Sequence, residues 1–222
     1  MRILAVIPAR GGSKGLPGKN LRLLAGKPLL VHSVDVARAC PWIDEVVVTS
    51  DSDEIGKVAR EFGAVVVHRP RDLAQDATPM EPVVQHALLS REKEVEPFDA
   101  VLLLQPTSPL RSRKDLEESI RLFSKSPCDT LLSVYPFHGY RYHLKEGIVQ
   151  PMFQTRGNRQ DREEEYVENG AIYLTRAELV RSGRLFGERL SAYVMPTSRS
   201  VDIDTADDLL LAQALLTSTT HT

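Results

Sequence analysis

Between Ile7 and Asn20 the chain reads IPARGGSKGLPGKN. Gly11, Gly12, Gly15 and Gly18 leave main-chain N–H groups free to turn toward an anion. Arg10, Lys14 and Lys19 add three cations to the same stretch. A polyphosphate requires this combination, backbone donors for geometry and cations for charge. Neither of two familiar phosphate loops fits. The pattern G-x-x-x-x-G-K-[ST] fails because Asn20 follows Gly18-Lys19 and Ser13 stands where the first glycine belongs, while G-x-G-x-x-G fails at Gly11-Gly12-Ser13. Far along the chain lies Val201-Asp202-Ile203-Asp204-Thr205. In an extended segment, residues two apart point to one side, so Asp202 and Asp204 are able to approach one cation. Mg²⁺ takes one or two carboxylates plus substrate phosphates. The competing reading makes Asp204 the N-cap of the last helix, with Asp207 and Asp208 favouring its positive end. The phosphate loop tips the balance toward metal.

These residues fall at the ends of short apolar segments. Ile3 to Ile7 reads as a buried strand and hands the chain to the glycine-rich loop. Pro28 opens a helix. Asp44 to Thr49 is a second strand, followed by Ser50-Asp51-Ser52-Asp53, with Asp53 capping a helix to Phe62. Ala64 to His68 is a third strand, followed by Arg69-Pro70, with Asp76 and Thr78 downstream. A helix spans Pro79 to Leu89. Ala100 to Gln105 is a fourth strand, whose end places Gln105 and Arg111 on the edge that carries the phosphate loop. Ser112 caps a helix to Phe123, and Asp129 to Tyr135 is a fifth strand. This alternation predicts an α/β, Rossmann-like domain with a mostly parallel central sheet flanked by helices. In such sheets ligands bind beyond the carboxyl ends of the strands.

The pattern breaks from 138 to 168, a polar stretch too long for an ordinary connection. It is expected to form a small inserted lobe: a lid, a β-hairpin arm or an oligomerisation element. Strand-like order returns at Gly170 to Leu174, just after Glu168-Asn169, and again at Ser191 to Met195. A final helix spans Ala206 to Leu216, and residues 217–222 are expected to be a disordered tail. The whole is one domain, 1–222, carrying the lobe. His32 and His86 sit in helices and read as structural; His138 and His143 fall in the lobe.

Composition narrows the function. The 222 residues carry 28 Lys and Arg against 30 Asp and Glu, a net charge of −2, which argues against a broad nucleic-acid surface. Cys40 and Cys128 show no zinc spacing and no disulfide framework. No apolar run reaches the length of a membrane span, and the opening run is too short for a signal segment. The cytoplasm is the expected compartment.

The motifs IPARGGSKGLPGKN, SDSDEI, HRPRDLAQDATP, LLLQPTSPLR, NRQD, ENGAIY and DIDT occur in that order over residues 7–205. In this set the chain resembles the acylneuraminate cytidylyltransferases, the CMP-sialic acid synthetase family. The resemblance implies a nucleotide-diphospho-sugar transferase fold and Mg²⁺-dependent transfer of CMP from CTP to the anomeric hydroxyl of a nonulosonic acid. Pyrophosphate is the other product. It implies that Arg10 and Lys19 hold the triphosphate beside the Ala9, Gly11 and Gly12 backbone, with Asn20 and Arg69 on the cytidine. Gln105 and Asn169 would contact the sugar acid, and Asp202 and Asp204 would hold Mg²⁺. The lobe would cross to a second subunit in a homodimer, with Arg156 or Arg159 meeting the sugar's carboxylate. One departure stands out. Where sialic-acid members have a serine-rich stretch, this chain has Asp76-Ala77-Thr78-Pro79-Met80, so Thr78 is expected to replace the serine at the nucleotide. That version looks more like members acting on legionaminic or pseudaminic acid. Two alternatives remain: a nucleotidyltransferase of the same fold using Kdo or a sugar 1-phosphate, and a non-catalytic nucleotide-binding module.

Overall fold

The first strand, β1 (Ile3–Pro8), is covered on both faces, with Ile3, Leu4, Ala5, Val6 and Ile7 all buried. Its odd-numbered residues join a cluster with Val34 and Ala37 of α1 (Leu29–Ala39), Ile55 of α2 (Asp53–Glu61) and Phe123 of α4 (Arg113–Lys125). Leu4 and Val6 turn the other way, onto Val84 and Leu88 of α3 (Met80–Arg91) and Val180 of α5 (Ala177–Arg181). Each such buried aliphatic side chain contributes about 1.5–3 kcal/mol. The period of two therefore explains a continuous apolar run: each side of the strand has its own helical layer.

In the computed structural model, residues 1–12, 15–153 and 163–219 are described. A seven-stranded sheet has the order β11-β7-β10-β6-β1-β4-β5. Its members are β1, β4 (Glu45–Ser50), β5 (Val65–His68), β6 (Ala100–Leu103), β7 (Thr130–Phe137), β10 (Glu165–Arg176) and β11 (Leu190–Val194). β1 pairs in parallel with β4 and β6, β4 with β5, and β11 with β7, whereas β10 is antiparallel to both β6 and β7. The order reverses at β1, which opens a crevice beyond its carboxyl end. Short strands β2 (Leu23–Leu24) and β3 (Lys27–Pro28) pair beneath the glycine-rich loop.

One helix cap differs from the sequence reading, and a competing reading of another falls. At α2 the cap is Ser52, whose hydroxyl accepts from the Ile55 N–H at 3.4 Å, and Asp53 is the first helical residue. At α6 (Ala206–Thr219) a reciprocal box forms between Thr205 and Asp208: the Asp208 carboxylate accepts the Thr205 N–H at 2.8 Å, and the Thr205 hydroxyl accepts the Asp208 N–H at 3.3 Å. The helix start is served by Thr205, so Asp204 is not the cap. The helix also runs to Thr219, past the predicted start of the tail, whose last residues, 220–222, lie outside the described residues.

The predicted lobe divides. Glu165 to Glu168 belong to β10 and pair with Phe137 to Val134 of β7, so part of the stretch extends the main sheet as a two-stranded arm. The arm is largely exposed and lacks the apolar alternation that would have marked it. Between its strands stands a hairpin, β8 (Tyr142–Lys145) and β9 (Ile148–Pro151). Residues 154–162, which include Arg156 and Arg159, lie outside the described residues.

One buried carboxylate ties the last part of the chain to the domain. Asp115, in the capping box of α4 with Ser112, is fully buried. It accepts from Arg199 at 2.7 and 3.0 Å and from the Tyr193 hydroxyl at 2.9 Å. Burial pushes its carboxyl up, but the bonds from Arg199, Ser112 and Tyr193 outweigh that and hold it below the ordinary range. Its contribution to stability is thus complete above the unfolded value of about 3.9 and fades as pH falls through the lower folded value. Asp115→Ala is expected to cost about 3 kcal/mol in urea unfolding at neutral pH, because it leaves Arg199 without its partner. Asp115→Asn should flatten the acid side of the stability profile, measured as urea midpoint against pH.

Candidate active site

Two depressions meet at the carboxyl edge of the sheet. The first, about 270 Å³, is lined by Arg10, Lys19, Asn20, Arg69, Gln105 and Asp204 among others. The second, about 370 Å³, is lined by Gln105, Glu168, Asn169, Tyr173, Ser200 and Asp202 among others. Gln105 belongs to both and marks the seam. The first is cationic and the second acidic and polar.

In the cationic cleft, Arg69 is only 4% exposed. One of its N–H groups donates to the Thr49 carbonyl at 2.8 Å, but its Nε has no partner. Burial lowers its pKa to about 10, with Asp51 pulling it up and Arg10 pushing it down, so the guanidinium stays charged at neutral pH. A buried cation with an idle donor favours an electron-rich group on the ligand. Arg10 pairs with Asp76 at 2.8 Å and donates to the Gln75 carbonyl at 3.1 Å. Lys19 reaches across the chain, donating to the Ile203 carbonyl at 2.9 Å and pairing with Asp204 at 2.8 Å. The Gly11 N–H donates to the Asp51 carboxylate at 2.9 Å. Each of these phosphate-type donors thus already faces a carboxylate.

Other predicted nucleotide contacts serve the loop itself. Ala9 is buried and its N–H donates to the Thr49 carbonyl at 3.0 Å, which continues the β1–β4 ladder. Asn20, also buried, donates its amide to the Arg10 carbonyl at 2.9 Å and still lines the cleft. Gly12 has open space around it. Thr78 is not brought to the cleft wall: its hydroxyl donates to the Asp72 carbonyl at 3.3 Å, and Met80 lines the cleft instead. Lys14 lies outside the described residues.

The two aspartates are set by the residue between them. Ile203 is fully buried in a cluster with Leu16, Leu24, Leu29 and Leu110, and its N–H donates to the Thr107 carbonyl at 2.8 Å. With Ile203 turned inward, its neighbours turn outward, Asp204 to the cationic cleft and Asp202 to the acidic one. Although reachable by solvent, the Asp202 carboxyl is shifted upward, by burial first and by the charge of Asp204 next, against a hydrogen bond from Thr107 and the charge of Lys19.

The acidic pocket is shaped by a register shift in β10 between Glu168 and Tyr173, where Gly170 adopts φ 71°. A side chain there would be strained, and its Cβ would stand 3.2 Å from the Gln105 amide oxygen. The shift turns Asn169 inward. Its oxygen accepts from the Ser133 hydroxyl at 2.6 Å and the Ala171 N–H at 3.1 Å; its nitrogen donates to the Ser200 hydroxyl at 2.9 Å and the Met195 sulfur at 3.3 Å. All of its hydrogen-bonding capacity is internal. Asn169 thus lines the pocket with its amide held by its own neighbours. Arg111 plays a similar part for Gln105. Buried, with its pKa lowered to about 9 by desolvation, it donates to the Gln105 carbonyl and, at 3.3 Å, to Ser33. Thr107, Glu168, Tyr173 and Ser200 complete the site; Thr107 lies inside the LQPTSPL motif, but Ser200 carried no local signal.

The sheet is that of solved nucleotidyltransferase structures. A CMP:2-keto-3-deoxy-manno-octonic acid synthetase complexed with CTP superposes with a TM-score of 0.76 at 18% identity, covering 99% of this chain and all of that one. A 4-diphosphocytidyl-2C-methyl-D-erythritol synthase from Anaerococcus prevotii gives 0.70 at 16% identity, over 97% of this chain and 96% of that one. More narrowly, the chain belongs to the cytidylyltransferase family, whose model matches residues 4–215. It is similar to the CMP-N,N'-diacetyllegionaminic acid synthase of Legionella pneumophila, at 36% identity over 97% of both chains. It is also similar to N-acylneuraminate cytidylyltransferase A of Danio rerio, at 36% over 95% of this chain, and to the N-acylneuraminate cytidylyltransferase of Escherichia coli, at 32% over 95%. The chain spans about half the length of the latter two, 50% and 51%.

One close approach in the site is testable by itself. A Cβ on Gly15 would stand 2.7 Å from the Asp204 carbonyl oxygen, whereas one on Gly12 would meet nothing within 4 Å. Gly15→Ala is expected to destabilise the protein by about 1–3 kcal/mol, since backbone must move. Gly12→Ala should change stability by less than about 0.5 kcal/mol. Thermal unfolding of the two variants side by side checks both.

Proposed function

We propose that the protein transfers a cytidylyl group from CTP to the anomeric hydroxyl of a nonulosonic acid, releasing pyrophosphate. The observation that carries this reading is the pair of joined clefts, one cationic and one acidic, served by two aspartates from one short segment. The names and high coverage of the relatives favour CTP and a sialic-acid-type acceptor, and the full-length match to the Legionella enzyme favours a legionaminic-type one. Arg10, Lys19 and Arg69 hold the nucleotide's phosphates and base side, and the Gly11–Gly12 backbone lies against them. Gln105, at the seam, holds the acceptor against the α-phosphorus. The hydroxyl oxygen attacks that phosphorus, the bond to the β-phosphate oxygen breaks, and the proton leaves to solvent or a nearby carboxylate. Arg10 and Lys19 then stabilise the charge that grows on the departing pyrophosphate.

Mg²⁺ fits this donor set. Among the described residues no group of three or more His, Cys, Asp or Glu gathers as a metal cage. The charge of Asp204 helps push the Asp202 carboxyl up, which a cation there would relieve, and two carboxylates with phosphate oxygens suffice for magnesium. When bound, the ion would neutralise the triphosphate and draw electrons from the α-phosphorus.

A homodimer, built through the hairpin, belongs to the same proposal. Tyr142, Leu144 and Val149 are exposed on one face of β8–β9, Leu144 at 73%, and a two-stranded hairpin has too little core to stand alone. The reading also places the protein in the cytoplasm, where CTP is available; no helix among the described residues is long and apolar enough to cross a membrane.

Incubation with Mg²⁺, each of the four nucleoside triphosphates and a panel of nonulosonic acids should release pyrophosphate only with CTP. Preference for another nucleotide, or no release with any acid, would refute the reading. Chelation should abolish turnover and added Mg²⁺ restore it. Asp202→Asn with Asp204→Asn should lower kcat by at least about 10²-fold, and Arg10→Ala should lower kcat/KM by about 10²-fold, both with little change in unfolding. Leu144→Asp is expected to shift the mass in light scattering from dimer to monomer.

A further inference from the structure

The wall of the acidic pocket opposite Asp202 has a fixed polarity. Glu168 is exposed into the pocket at the start of the β10 register shift, and Tyr173 lies on the far side of the shift. The Tyr173 hydroxyl donates to a carboxylate oxygen of Glu168. Burial, this bond and the charges of Glu168 and Asp202 all hold the phenol in its neutral, proton-bearing form. Its single proton is thus committed to Glu168. What the Glu168–Tyr173 pair offers a ligand is then acceptors only: the remaining lone pairs of the Glu168 carboxylate and of the Tyr173 oxygen. Asn169, beside them, has no free donor, since its amide is saturated by Ser200 and Met195.

We infer that Glu168 is a specificity-determining residue of the acceptor pocket, accepting an amide N–H or hydroxyl of the sugar acid and repelling its carboxylate. The inference rests on the proposed reaction and adds which group of the acceptor is read. An acid entering with its carboxylate toward Glu168 would set two anions together. Entering with a hydroxyl or acylamino N–H toward it, the acid gains a charge-assisted bond. The carboxylate end of the acid must therefore lie away from Glu168. A register shift next to a site is a usual means of aiming one side chain at a ligand. Here it aims Glu168, while Gly170 at the same bend leaves room for Gln105.

The test uses the intact protein with CTP, Mg²⁺ and its best acid from the panel. Glu168→Gln keeps the size and the Tyr173 neighbour but removes the charge. It is expected to raise the KM for the acid about tenfold, while the KM for CTP stays within about twofold. A second comparison uses acid analogues, each with one hydroxyl replaced by hydrogen or one acylamino N–H replaced by an N-methyl. For the wild type, one analogue should lose about tenfold in kcat/KM; for Glu168→Gln that same analogue should lose little more. Unchanged acid KM in Glu168→Gln, or equal analogue penalties in both proteins, would overturn the assignment and leave the transfer reaction standing. A wild type that uses no acid would overturn both. Thermal unfolding of Glu168→Gln at the wild-type temperature excludes a folding defect as the cause.

Discussion

Ile203 is a single apolar side chain, yet the site turns on where it goes. Its burial among Leu16, Leu24, Leu29 and Leu110 joins the glycine-rich loop, the first helix, the loop after β6 and the segment before α6 into one small cluster. The N–H bond to Thr107 fixes the depth and rotation of that segment. Alternation then does the rest, because a residue locked inward forces both neighbours outward. Thr205 and Asp208 close the helix start by themselves. Asp204 is thereby left for chemistry, and Lys19 is drawn to the same place by the Ile203 carbonyl.

Around this point the fold separates positioning from contact. Asp115 and Arg199 fasten the chain just before the aspartates. Asn169 links β10 to β7 through Ser133 and to the same segment through Ser200. Arg111 grips the backbone of Gln105 from behind. Each is a polar group placed in the interior with its partners supplied, which is how a low-dielectric setting makes a side-chain network rigid. The residues that face the clefts are then held by neighbours that themselves face inward.

The order of strands and helices to about residue 135 was legible because each strand is covered by helices on both sides, and a doubly buried strand writes itself as an apolar run. The glycines and cations marked the loop that lines the first cleft through Arg10, Gly15 and Lys19, and spacing marked Asp202 and Asp204, which line the two clefts. The pairing of Pro136–Phe137 with Glu165–Tyr166 was not legible, since this half-exposed end of the ribbon carries no apolar alternation. The partners of Asn169 were hidden for a different cause. An Asn beside a Gly signals a turn or a contact, but only the register shift shows that its amide is consumed by Ser133, Ala171, Ser200 and Met195. Thr78 looked like a stand-in for serine by type alone, and its hydroxyl answers to Asp72. Local pattern speaks for elements and loops; which partner a polar atom takes is decided by segments far apart in the chain.

The carboxylates of Asp51, Asp76 and Asp204 already stand against the Gly11 N–H, Arg10 and Lys19. On the proposed reading, an arriving phosphate would exchange one anion for another instead of meeting bare cations. Such an exchange is close to symmetric in charge, so attraction to the cleft is tempered on entry and the return of the carboxylates assists departure. For a protein that must let go of a highly charged leaving group after every cycle, the internal counter-anions act as a restoring spring: they keep the cations ordered between cycles and compete for them at the end of each one.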